Sequence, residues 1–264
     1  MARLDPALLP AVTDLARGLR SLDVPFAIVG ALVPELLLDA PRAAMTNDAD
    51  VTVAVASLAA FATLKTQLAA FGFAESGAPH RLRHQSGGLV DLLPFSESIA
   101  PGGQLELQRD LVLNMAGFEQ AVTSAVQVAV DDGPVLPVVP LPLYVLLKLV
   151  SFDDRKAPKD LASVFHCLRY YLDEDDRRYL AEHAGAGVPF EYAGAYLLGA
   201  DGQALLSGPL ARVVSRVLDR FAHPDAEAVG TVARERGKVA VDERERTDIF
   251  ERFRWYRLGL DIGE

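Results

Sequence analysis

A mixed α/β core followed by an all-helical half is the architecture that the sequence predicts. Two observations carry it. As far as Val139, short apolar or alternating runs recur between turns marked by glycine and proline, the pattern of strands interleaved with helices; from Leu141 onward, apolar residues recur at helical spacing. The change sets a boundary between residues 1–140, read as the α/β core, and 141–264, read as a helical domain.

Asp5-Pro6 reads as an N-cap with proline at the first helical position, opening a helix to about Leu22 whose apolar residues Leu8, Leu9, Val12, Leu15, Ala16 and Leu19 share a face. Asp23-Val24-Pro25 breaks it. Phe26–Val29 is a short buried strand that Gly30 ends, and Ala31 to Leu38 reads as a second helix. After a polar loop, Asp48 to Val55 alternates as a strand does, with Asp48, Asp50, Thr52 and Ala54 on one face and Ala49, Val51, Val53 and Val55 on the other. Ser57 caps a helix to about Phe71. His80 to Gln85 and Leu89 to Leu93 form two strands joined by Ser86-Gly87-Gly88. Ala121 to Val130 and Val135 to Val139 form another pair around Asp132-Gly133. Helices are expected from Pro142 to Asp153 and from Pro158 to Leu172. Further segments follow near Asp175 to His183, Phe190 to Leu198, Ala204 to Phe221 and Asp242 to Leu258.

With 264 residues, half of them apolar, the chain has material for one large domain or two modest ones. Cys167 is the single cysteine, so a disulfide scaffold is excluded and a reducing, cytoplasmic setting is expected. The N-terminus lacks the basic start and apolar run of a signal peptide. The most apolar stretch, Val135 to Val150, is broken by Pro137, Pro140 and Pro142 and is too short for a bilayer, so no membrane association is expected. A formal net charge of −10 disfavours non-specific nucleic-acid binding and suits a site that concentrates a divalent cation.

The chemistry lies in an ordered set of pieces: strand, Gly30, helix, then Asp48-Ala49-Asp50, then Val90-Asp91-Leu92. Asp48 and Asp50 leave one face of their strand. Two carboxylates that close together repel unless a cation sits between them, and hard oxygen donors suit Mg²⁺, which takes one or two protein carboxylates plus substrate phosphates. A neighbouring strand would bring Asp91 to the same metal. Two aspartates on a strand also occur as a plain solvated edge; it is the order of all three pieces that points to a site. Arg81 and Arg83 fall on the opposite face of their strand from His80, Leu82 and His84. There they read as a wet strand face, or as a pair able to meet an acidic polymer or a triphosphate. Cys167 reads as core, Trp255 and Tyr256 as packing, and Arg234 to Arg246 as a solvated helix or loop.

Val29-Gly30-Ala31, then Thr46-Asn47-Asp48-Ala49-Asp50-Val51, then Val90-Asp91-Leu92 resembles the nucleotidyltransferase superfamily, with its glycine at a strand–helix turn, spaced Asp-x-Asp and third Asp. The stretch from Leu146 to Leu161, with Lys148, Asp154-Arg155 and Lys159-Asp160, resembles the AbiEii-type nucleotidyltransferases, which include toxins of type IV toxin–antitoxin systems. The resemblance covers roughly Phe26 to Leu168. It implies a nucleotidyltransferase-type mixed sheet and a metal-dependent transfer of a nucleoside monophosphate from a nucleoside triphosphate to a hydroxyl. Asp48, Asp50 and Asp91 are then ligands for Mg²⁺ or Mn²⁺, with Asp91 as third ligand or base. Gly30 lets backbone approach the triphosphate, with amide donors from Ala31 to Val33. Thr46 belongs to the same nucleotide-binding motif, Lys148 contacts the triphosphate, and Asp160 orients Lys148 or another site group.

The sequence departs from the family where Ala31 replaces Ser or Gly, and where Ala44 replaces an arginine two residues before Thr46, the nearest being Arg42. The implied acceptor is an RNA or tRNA end, with a cognate antitoxin as partner. Two alternatives stand beside it: transfer to a small molecule such as an antibiotic, which the acidic charge suits, and a catalytically silent nucleotide- or protein-binding module, which Ala31 suits.

Overall fold

The computed structural model describes residues 4–6, 8–41, 47–109, 111–173, 175–237 and 242–262. They divide into two compact units, one of residues 1–37 with 41–140 and the other of 38–40 with 141–264. The first is α/β and the second helical, so the expected fold class is the one observed.

The first unit is built on a seven-stranded mixed sheet. Its strands are β1 (Phe26–Val29), β2 (Asp48–Ala54), β3 (Phe73–Ser76), β4 (Ala78–His84), β5 (Leu89–Phe95), β8 (Val126–Ala129) and β9 (Val135–Val138), in the order β3-β4-β5-β2-β1-β9-β8. At its centre β2 runs antiparallel to β1 and parallel to β5. Both Phe26–Val29 and the alternate residues Ala49, Val51 and Val53 are buried, as a central position demands. On this sheet lie α1 (Leu9–Ser21), α2 (Leu32–Leu37) and α3 (Leu58–Leu68). The buried stripe of α1 is Ala11, Val12, Leu15, Ala16 and Leu19. Ser57 caps α3, its hydroxyl accepting from the Ala60 N–H at 3.1 Å.

Three local features differ from the sequence reading. Helix α1 begins at Leu9 rather than after Asp5: the Asp5 carbonyl accepts the N–H groups of Leu8 and Leu9 in a turn, and Pro10 lies in the first helical turn. A helix begun at Pro6 would place Pro10 in its interior, where the missing N–H and ring clash break a helix, whereas the first turn tolerates both. Strand β3 was not expected; it is a short edge strand of which only Phe73 is buried. Nor was the separate two-stranded sheet of β6 (Gln104–Gln108) and β7 (Leu111–Asn114). It closes its own small core of Ala100, Leu105 and Met115 against Leu93 and Phe95 at the end of β5.

The second unit comprises α4 (Leu141–Arg155), α5 (Pro158–Tyr170), α6 (Ala181–Gly185), α7 (Ala193–Gly202), α8 (Gly208–Leu218), α9 (Glu227–Glu235) and α10 (Glu243–Gly259). Helices α7 and α10 cross at backbone contact. A Cβ on Gly199 would stand 2.3 Å from the Tyr256 carbonyl, and one on Gly259 would stand 2.1 Å from that of Tyr196, so only glycine fits at either position. Asp242 caps α10 by accepting from the Glu245 N–H at 2.8 Å, and Phe221 stacks on Phe253 with ring centroids 3.7 Å apart. Cys167 and Tyr256 are fully buried, and burial pushes up both the thiol and the phenol pKa. No helix among the described residues is long and apolar enough to cross a membrane.

Candidate active site

Strand register assembles the first part of the site. On β1, β2 and β5, Val29 stands opposite Asp50, and Asp50 opposite Asp91. Because side chains alternate along a strand, Asp48, Asp50 and Asp91 all leave one face of the sheet. Gly30, immediately after β1, has φ +72°. A Cβ there would stand 1.9 Å from Asp50 Oδ2 and 2.5 Å from its Cγ. Gly30 is therefore required twice over, for a left-handed backbone and as the floor on which the Asp50 carboxylate lies. The turn leads directly into α2. Of the amides in that turn, the Val33 N–H already donates to the Gly30 carbonyl at 3.1 Å, which corrects its expected role as an open donor.

A fourth residue completes this face. Arg81 on β4 stands opposite Asp91 on β5. Its Nε donates to Asp91 Oδ1 at 2.7 Å and its Nη2 to Asp91 Oδ2 at 2.6 Å, a two-pronged clasp; Nη2 also donates to Asp48 Oδ2 at 3.1 Å. One nitrogen touching both carboxylates brings them face to face across a single cation. Hydrogen bonding to Asp91 holds the Arg81 pKa far above its usual range, with the charges of Asp91, Asp48 and Asp50 adding to the effect. His80 Nε2 lies 3.9 Å from Asp91 Oδ2. By contrast, His84 is a buried structural residue, its Nε2 paired with Asp14 of α1 at 3.1 Å and its Nδ1 with Ser86 at 2.8 Å.

The sequence reading left Arg81 open between a wet strand face and a pair able to meet an acidic polymer or a triphosphate and did not give it a carboxylate partner, yet a signal for that partner existed. A hairpin that turns symmetrically about Ser86 sets residue 81 across from residue 91, so the pairing follows from counting outward from the glycine turn. Arg83, on the same face, is exposed.

In the helical unit, Asp160 of α5 is fully buried and binds two cations. Lys148 Nζ of α4 donates to its Oδ1 at 3.3 Å, and Arg155 donates through Nη2 to Oδ1 at 2.6 Å and through Nε to Oδ2 at 2.8 Å. Lys148 also lies over the Tyr144 ring, 5.7 Å from its centroid. Lys156 pairs with Asp153 at 2.8 Å at the end of α4. Thr46, assigned to the nucleotide-binding set, lies outside the described residues, as do Arg42 and Ala44.

Three carboxylates on one sheet face are hard oxygen donors of the kind Mg²⁺ and Mn²⁺ take. As the side chains stand, however, no group of three or more His, Cys, Asp or Glu residues among those described is disposed around a metal position. The donor chemistry fits a divalent cation, and the cation in place is the Arg81 guanidinium.

No family model matches the chain, and no curated protein matches it. Among solved structures it is similar to an antigenic nucleotidyltransferase-like protein from Paracoccidioides brasiliensis, at 22% identity and a TM-score of 0.40 over 62% of this chain and 76% of that one. It is also similar to the antibiotic-resistance factor ANT(2'')-Ia, at 10% identity and a TM-score of 0.37 over 83% of this chain and 95% of that one.

Proposed function

We propose that the chain is a nucleotidyltransferase that moves a nucleoside monophosphate from a nucleoside triphosphate to a hydroxyl. The observation that carries this reading is the carboxylate face itself: Asp48, Asp50 and Asp91 on adjacent, in-register strands, with Asp50 seated on Gly30. Asp48 and Asp50 would hold the divalent cation, and Asp91 would serve as a further ligand or accept the proton of the attacking hydroxyl. Bound there, Mg²⁺ or Mn²⁺ would neutralise charge on the reacting phosphate oxygens. Lys148, kept in place by buried Asp160, would supply a point charge to the triphosphate. Lys148→Ala should then raise the triphosphate Kd on the order of tenfold, the scale of one hydrogen bond to a charged group. An unchanged Kd would remove Lys148 from the site.

The residue pattern around Lys148 and Asp160 favours an RNA or tRNA end as acceptor, in the manner of a toxin with a cognate antitoxin. The charge of −10 favours a small molecule instead. Incubation with each α-labelled triphosphate, Mg²⁺, total RNA and a panel of hydroxylated small molecules separates the readings. Label in RNA supports the first, label in a small product the second, and label in neither leaves a nucleotide-binding module.

A further inference from the structure

We infer that Arg81 is an internal counter-ion that exchanges partners when substrate arrives: in the free chain it holds Asp91 and Asp48, and on entry of a divalent cation with its triphosphate it releases them and takes the phosphate charge. This rests on the nucleotidyl-transfer reading above and assigns a role there to a residue outside the metal-ligand set.

The geometry has three parts. Arg81 reaches beyond its cross-strand neighbour: the nitrogen that grips Asp91 at 2.6 Å also grips Asp48 at 3.1 Å on another strand, so the guanidinium spans two of the three carboxylates where a bridging cation would stand. The carboxylates are carried on short side chains from paired strands, whereas Arg81 reaches them at the end of a long, flexible stem. Finally, about a third of the Arg81 side chain is exposed, so it has solvent to move into, while Asp91 is 8% exposed and has little.

Charge pairing then couples the two events. A nearly buried carboxylate stripped of its cation is costly, so Asp91 cannot release Arg81 unless another cation takes its place. The released guanidinium likewise needs an anion. A divalent cation arriving with a triphosphate supplies both at once, carboxylate to metal and guanidinium to phosphate, the planar fork that fits a carboxylate fitting phosphate oxygens equally well. A metal arriving alone has to displace Arg81 with no anion to receive it. The free chain is thus biased against metal without nucleotide.

The test is calorimetric titration of the full chain with Mn²⁺ alone, and with the Mn²⁺ complexes of the four α,β-methylene nucleoside triphosphates, for wild type, Arg81→Gln and Arg81→Lys. Arg81→Gln should bind Mn²⁺ alone on the order of tenfold more tightly and the Mn²⁺–triphosphate complex on the order of tenfold more weakly, the scale of one charge-assisted hydrogen bond in each direction. Opposite signs are the distinguishing result. Arg81→Lys keeps the charge without the fork and should fall between on both titrations; should the Gln variant fail to fold, the Lys variant must show the same two directions. Weaker binding in both titrations would make Arg81 a fixed support for the carboxylates, and two unchanged affinities would make it a bystander. Either result overturns the exchange while leaving the transfer reading intact. A wild type that binds none of the four complexes overturns the transfer reading, and the exchange with it.

Discussion

At the scale of single residues, Gly30 shows how one position can serve fold and site together. Its φ of +72° disfavours any side chain, and the Asp50 carboxylate fills the space a Cβ would take. Gly30→Ala should cost about 1–2 kcal/mol from backbone conformation alone, before the clash with Asp50 is added. Chemical denaturation would measure it, and a variant as stable as wild type would show that the turn relaxes freely. The glycine was legible in the sequence as the end of a strand, but its contact with Asp50 was not, because cross-strand register decides it. The pairing of Arg81 with Asp91 and Asp48 was hidden for the same reason. A charge on an alternating strand looks solvated until the strand opposite is known to carry a carboxylate.

His166 on α5 gives a second residue-scale expectation. Burial, with the charges of Arg236 and Arg169, lowers its pKa below the usual 6.5. A histidine that is neutral when folded binds its proton more readily when unfolded, so stability should fall as the pH drops below about 6.5. His166→Gln should flatten that part of the profile. Denaturation midpoints at pH 7.5 and 5.5 check it, and an equal slope in the variant would contradict it.

At the scale of elements, what could be read was what local chemistry determines. The apolar run Phe26–Val29, the alternation of Asp48–Ala54 and the Ser57 cap each specify their element without outside help. The change to helical spacing after Pro140 coincides with the end of β9 and the start of α4. Less legible were elements stabilised by distant partners. Strand β3 buries one residue and is defined by its pairing with β4. The β6–β7 hairpin alternates Leu105 and Leu107 with polar residues, but its small core is completed by Leu93 and Phe95 of β5. Leu105 is fully buried there. Leu105→Ala should cost about 2–3 kcal/mol and raise hydrogen exchange within residues 104–114 while β5 stays protected. A rise across the whole large sheet would show instead that the hairpin is integral to it.

At the scale of the whole molecule, the helical unit carries an ion cluster of its own, with Lys148 and Arg155 of α4 both held by Asp160 of α5. Asp160 has no exposed surface and holds two cations, so Asp160→Ala leaves both without their shared partner. Because Arg155 is half exposed and can turn to solvent, the expected loss is about 3 kcal/mol, the lower end for breaking a buried pair. Asp160→Asn should lose less, and thermal unfolding would rank the two.

The central claim is that the carboxylate face performs divalent-cation-dependent nucleotidyl transfer, and Asp50→Asn tests it most directly, because it keeps the side-chain shape over Gly30 and removes one negative charge. Transfer of α-label from triphosphate to acceptor should fall by a factor on the order of 10² or more, the effect of removing one electrostatic stabiliser from a reacting centre, while the fold persists. Wild type with EDTA should match the variant. Full transfer by Asp50→Asn, or wild-type transfer indifferent to EDTA, would contradict the account.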